Sequence, residues 1–178
     1  IPLAGKNEID KAVTAARKAY PAWSEMIQAE RSKIVLRIAD AFRKKAAEIS
    51  RLETLEHGSI LSLAENVPMI AAEQFEWAAA RADSLMGDHI PTLPDVLTYL
   101  KREPIGVCAI ITPWNHAIVM MAVKLAQSLT VGNTCILKPP SVNSLIGLKL
   151  AEVMEEADLP AGVVNVITGP GTSTGNAL

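Results

Sequence analysis

Apolar residues recur at helical spacing through the first half of the chain and gather into short unbroken runs in the second. Between residues 7 and 21, Ile9, Ala12, Val13, Ala16 and Tyr20 lie three and four apart, which predicts a helix capped by Asn7 and ended by Pro21. Ala22 to Gln28 reads as a connection in which Trp23 is a packing anchor. A long helix is predicted from Ala29 to His57 through Ile34, Ile38, Ala41, Phe42, Ile49, Leu52 and Leu55, with Gly58 as its stop. Arg31, Lys33, Arg43, Lys44 and Lys45 along it read most simply as a solvated face. After a short turn over Leu61 to Glu65, Pro68 suits the first turn of a third helix that runs to Leu85. Its face is Met69, Ala72, Phe75 and Ala79, with Trp77 packed nearby. Pro91 and Pro94 then break the helical signal, and Val96 to Lys101 alternates weakly, as a strand does.

The period changes after residue 103. Gly106 to Ile111 is an unbroken apolar run of the kind that a parallel strand covered on both faces requires. It breaks at Thr112-Pro113-Trp114-Asn115, and a helical pattern follows from Ala117 to Leu129, with Val119, Val123 and Ala126 on one stripe. Gly132-Asn133 closes that helix, and a second strand from Thr134 to Leu137 delivers Lys138 and two prolines at its carboxyl end. Another helix spans Ser144 to Ala157, with Leu145, Leu148, Ala151, Val153 and Met154 as its apolar positions. Val163 to Ile167 is a third strand, followed by Gly169, Gly171 and Gly175. Alternating strands and helices predict an α/β fold with a Rossmann-like parallel sheet and flanking helices, preceded by a helical region. Sites in such sheets form beyond the carboxyl ends of the strands.

Composition narrows the partners. The chain has 178 residues, 49% of them apolar, and a net charge of −2, which leaves no electrostatic footprint for nucleic acid or an anionic membrane surface. No apolar run reaches the roughly 20 residues a spanning helix needs. Cys108 and Cys135 sit inside strand patterns and read as buried small hydrophobes of a reduced, cytoplasmic protein, not as nucleophiles. His57, His89 and His116 show no metal-ligand spacing, so no metal is expected.

Three motifs in order then carry a resemblance: Glu103 to Asn115 (EPIGVCAIITPWN), Gly132 to Pro139 (GNTCILKP) and Gly162 to Gly171 (GVVNVITGPG). The chain resembles the aldehyde dehydrogenases over nearly its whole length. Members of that family are longer, so the resemblance implies an internal fragment of the cofactor-binding domain, with the catalytic domain absent. Its parts would be a helical region over 1–90, a strand over 95–102 that pairs subunits or covers its own domain, and β-α-β units over 103–178. The implied activity is oxidation of a small-molecule aldehyde to a carboxylic acid with NAD or NADP, through a thiohemiacetal on a cysteine outside this chain. A coenzyme A-acylating member and a non-catalytic structural homologue are the alternatives. The full-length protein is expected to be a homodimer or homotetramer.

The same resemblance assigns roles to residues. Asn115 is the candidate catalytic residue, its amide N–H stabilising the oxyanion, against the plainer reading of an asparagine that satisfies its own turn. Ile111, Thr112, Pro113, Trp114 and Asn115 would pass along the cofactor, although Trp114 alone also reads as a core residue. Lys138 would bond ribose hydroxyls or a 2′-phosphate, with Pro140 and Ser141 beside it. Many NAD-preferring members have glutamate where this chain has Ser141. A carboxylate there repels a 2′-phosphate, whereas a serine can donate to it, so the resemblance implies that NADP is accepted. Ser141 also reads as a cap for the next helix. Gly169-x-Gly171-x-x-x-Gly175 is a weak dinucleotide fingerprint, but it fits the family's strand-to-helix turn, which gives Gly171 a binding role. His116 lines the aldehyde tunnel or packs as a neutral histidine.

Overall fold

A computed structural model describes all of residues 1–178. Seven helices and five strands follow one another as α1 (Lys6–Ser24), α2 (Gln28–Lys44), α3 (Ala46–His57), α4 (Leu61–Ala64), α5 (Val67–Ala80), β1 (His89–Pro91), β2 (Leu97–Tyr99), β3 (Val107–Ile111), α6 (Ala117–Thr130), β4 (Thr134–Lys138), α7 (Ser144–Glu156) and β5 (Val164–Val166). β3, β4 and β5 form a parallel sheet in that order, as the alternation of elements predicts. α1 packs on one face of it, where Ile9, Ala12 and Ala16 meet Ile136 and Ile167. α6 and α7 pack on the other face, with α2 and α5 laid over them, and one 30-residue core runs through these layers. No helix is long and apolar enough to cross a membrane.

Several expectations are corrected. Pro21 does not end α1, which continues to Ser24. In the last turn a proline forfeits a single amide bond, and its own carbonyl still accepts from Glu25 N at 3.0 Å. The long helix divides at Lys45 (φ −93°, ψ 10°), with neither glycine nor proline to announce it, and the bend turns α3 onto α7. Residues 61–64, read as turn, close into the one-turn helix α4. α5 stops at Ala80, short of Leu85, and a single 3-10 turn over Ala82–Ser84 follows. Trp77 is exposed, with the Arg81 guanidinium 4.5 Å above its ring. Pro91 lies inside β1, which pairs antiparallel with β2; a two-stranded ribbon has an outward edge where a missing N–H is harmless.

The apolar run Gly106–Ile111 forms the edge strand β3, with Ala109 and Ile111 exposed, whereas β4 is buried at every residue. The expected cover on both faces therefore holds for β4 and not for β3. α6 buries Ala117, Ile118, Met121, Ala122, Leu125, Ala126 and Leu129, not the narrower stripe of Val119 and Val123, because it lies between the sheet and α5. α7 likewise turns Ile146, Gly147 and Leu150 inward and leaves Leu145 and Leu148 exposed. Leu55 and Met69 also face outward. Arg31 is no part of a solvated face: its guanidinium is buried against the carbonyl ends of α1 and α6.

Candidate functional site

Strand register brings the predicted residues to one edge of the sheet. Ile111 stands opposite Lys138, and Leu137 opposite Val166, so the connections after β3, β4 and β5 open on the same side. Thr112 N donates to Lys138 O at 3.3 Å and Ile167 N to Leu137 O at 2.9 Å, which extends the ladder just past the strands. Grooves run along the β1–β2 turn and between Arg31 and Pro104, apart from this edge, which is here called the shelf.

The β3–α6 turn presents Pro113, Trp114, Asn115 and His116, all exposed. His116 adopts the left-handed region (φ 50°, ψ 44°), and its carbonyl accepts from Met120 N at 3.0 Å as the first bond of α6. That conformation costs a non-glycine residue about 1–2 kcal/mol and marks a turn whose shape is imposed by its surroundings. Asn115 precedes the positive end of α6, and its amide joins none of the side-chain hydrogen bonds of the fold. Trp114 is 59% exposed rather than a core residue. Its ring centroid lies 5.8 Å from that of His57 at the end of α3.

Lys138 closes β4 with 3% of its surface exposed. Nζ donates to Pro139 O at 3.0 Å and meets no carboxylate, and burial pulls its pKa below the ordinary lysine value. A buried ammonium with donors to spare is a feature that a polar ligand would satisfy. Gly175 borders its stem: a Cβ there would stand 3.8 Å from Lys138 Cδ and Cε. Thr112 Oγ1 is buried without a partner. These groups fit a ligand carrying hydroxyls or phosphate along the shelf.

Ser141 corrects one expectation. Its Oγ donates to Gly169 O at 3.1 Å, so the hydroxyl hydrogen is engaged within the fold in this structure. Nor does Ser141 cap α7. The first amides of that helix, Leu145 N and Ile146 N, donate to the Glu56 carboxylate at 2.9 and 2.8 Å. Pro140 is buried at the start of this connection. Gly171 opens a π turn over Gly171–Gly175, and nothing lies within 4 Å of where its Cβ would be. The sterically required glycine is Gly169 (φ 155°), whose Cβ would collide with Thr174. The thiol of Cys135 is pushed up to about 12 by burial and then by Cys108 beside it, and burial raises Cys108 as well. Neither supplies a thiolate at neutral pH.

Sequence reasoning missed Glu53, Glu56 and His57. Glu53 is 1% exposed, and its Oε1 lies 3.1 Å from His57 Nδ1. The i, i+4 spacing of the two on one helix was the available signal.

The aldehyde dehydrogenase family matches residues 1–178. The betaine aldehyde dehydrogenase of Bacillus subtilis strain 168 is 38% identical over 177 residues, which are 98% of this chain and 36% of that protein. Among solved structures, PnpE in complex with nicotinamide adenine dinucleotide superposes with a TM-score of 0.96 at 36% identity, covering 100% of this chain and 37% of its own. An Escherichia coli NADP-dependent enzyme superposes with a TM-score of 0.96 at 36% identity, over 99% of this chain and 37% of its own. The chain thus spans a little over a third of the length of these relatives.

Proposed function

The chain belongs to the aldehyde dehydrogenase family, and from that premise we propose that it is the first part of the cofactor-binding domain of an NAD(P)-dependent enzyme that oxidises an aldehyde to a carboxylic acid. Residues 1–90 are its helical region, 95–102 its subunit-pairing strand and 103–178 its β-α-β units. The exposed apolar residues Leu97 and Tyr99 of the β1–β2 ribbon suit that pairing role. The nucleophile comes from outside this chain, since Cys135 is buried, Cys108 is half-buried, not buried as its strand pattern suggested, and burial raises the pKa of both thiols.

The nicotinamide cofactor, when bound, accepts the hydride. The residues of this chain bind and orient. The turn Ile111–Asn115 lines the nicotinamide side, Lys138 bonds ribose hydroxyls or a 2′-phosphate, and Pro140, Ser141 and Gly171 border the adenosine side. Asn115 directs its amide N–H, reinforced by the positive end of α6, at the carbonyl oxygen as attack places negative charge on it. An amide suits this role because it donates without titrating. The observation that carries the reading is this amide, exposed and unbonded, on the edge where Ile111 and buried Lys138 end together. Support for NADP comes from the lack of any carboxylate beside Lys138, not from the Ser141 hydroxyl.

Asn115→Ala in the intact enzyme tests the reading. The expected loss of kcat is about 100- to 1000-fold with a smaller change in KM. An undiminished rate removes the assigned role.

A further inference from the structure

We infer that His57 is a positioning residue for the Trp114–Asn115 turn, braced from behind by buried Glu53. The inference rests on Asn115 being the oxyanion donor. That amide has no bond of its own to the chain, so its aim depends on what holds the turn. Backbone bonds close the turn at its two ends, Thr112 N to Lys138 O and Met120 N to His116 O. Between them the side chain of Trp114 projects outward, and its one aromatic contact is the His57 ring, at 5.8 Å between centroids and a tilt of 56°. Ring pairs attract at such distances, and the tilted arrangement is a preferred one.

His57 is itself fixed. Its Nδ1 lies 3.1 Å from Glu53 Oε1 and 2.9 Å from Ser59 Oγ. Nδ1 is hydrogen-bonded with Ser59 Oγ and rests against the Glu53 carboxylate, and these two contacts set the ring plane. Glu53 is 1% exposed on the inner side of α3 and cannot swing into water to release it. A continuous line of contacts therefore runs from α3 through Glu53 and His57 to Trp114, the residue that precedes Asn115 in the turn. A histidine in the last turn of a helix also serves the helix dipole. That role needs a cation but no ring, so variants that keep or lose the ring separate the two.

The test uses the intact enzyme labelled with 5-fluorotryptophan, the Trp114 signal being assigned by Trp114→Phe. Wild type and Glu53→Gln, which keeps the length and volume of the side chain against the ring, are expected to give one narrow fluorine resonance for Trp114. His57→Ala broadens or splits it. In His57→Ala, kcat falls roughly tenfold or more, as misplacement of a donor does, while KM for the cofactor stays within roughly twofold. His57→Phe, which returns a ring beside Trp114, recovers part of the loss. An unaltered Trp114 resonance in His57→Ala overturns the proposal. So does an unaltered kcat in an enzyme that Asn115→Ala inactivates. If Asn115→Ala keeps full activity, the oxyanion role falls instead, and the fluorine spectra still decide whether His57 holds the turn.

Discussion

Replacing Arg31 with methionine keeps the aliphatic stem and removes a cation that is 7% exposed and has no carboxylate partner. In the native chain Nε donates to Thr130 O at 3.0 Å, and Nη1 donates to Met26 O at 2.9 Å and Trp23 O at 3.2 Å, with Ser24 O at 3.5 Å. Thr130 ends α6, and Trp23 and Ser24 end α1, so one guanidinium gathers the negative ends of two helices. Burial lowers its pKa, yet a guanidinium stays charged at neutral pH. Three bonds of good length to a charged donor are each worth about 1.5–3 kcal/mol. Methionine is relieved of desolvating the charge, which offsets several kcal/mol of that sum. The expected net loss is about 3–5 kcal/mol, typical of breaking a buried charged network by removing one partner. A loss of that size lowers the Tm of the intact enzyme measurably. Urea unfolding followed by circular dichroism should show the midpoint dropping at constant slope. Arg31→Lys, which places a single ammonium where a fork stood, should recover less than half. A loss below about 1 kcal/mol for Arg31→Met would refute the argument that this cation joins the two helices.

Other substitutions probe other contacts. A Cβ at Gly147 would stand 2.5 and 2.6 Å from Cγ and Cβ of Pro139, so Gly147→Ala should destabilise by about 1–3 kcal/mol in thermal melts, through overpacking. The Arg43 guanidinium, hydrogen-bonded at 2.8 Å, holds the partly exposed Glu76 below its usual 4.5. A depressed carboxylate stabilises above its unfolded pKa, and that share is lost as pH falls through the folded one. The Tm gap between wild type and Glu76→Gln should therefore be small, level above about pH 4.5, and vanish in more acid solution. Ser141→Glu should weaken NADP binding roughly tenfold or more relative to NAD in a direct titration, because it sets a carboxylate beside the Lys138 end of the shelf. An unchanged ratio would mean that residue 141 does not face the 2′ position.

The central unit was legible because each of its elements is short, bounded by proline or glycine, and switches period at its ends. That is why Asn115 and Lys138 could be placed at strand ends from the chain alone, and register now puts their strands edge to edge. What escaped depends on distant partners. Arg31 sits among charged neighbours on a helix, and only the arrival of Thr130 reveals that it turns inward. The stripes of α6 and α7 misled because both helices are covered on two sides, so their apolar residues exceed one face. The bend at Lys45 has no local marker, since backbone bonding continues through it from Ala41 and to Ile49. The hydroxyl of Ser141 looked free to donate outward until Gly169 O proved to hold its hydrogen.

The apolar side of α1 has a consequence for how the molecule comes into being. Its Ile9, Ala12 and Ala16 rest on Ile136 and Ile167, and Thr134 Oγ1 bonds a carbonyl 118 residues upstream, at Ala16. A ribosome adding about 5–20 residues per second leaves that greasy strip without its partner for roughly 6–24 seconds. During that interval the nascent segment is an uncovered apolar surface, open to association until the strands that bury it emerge.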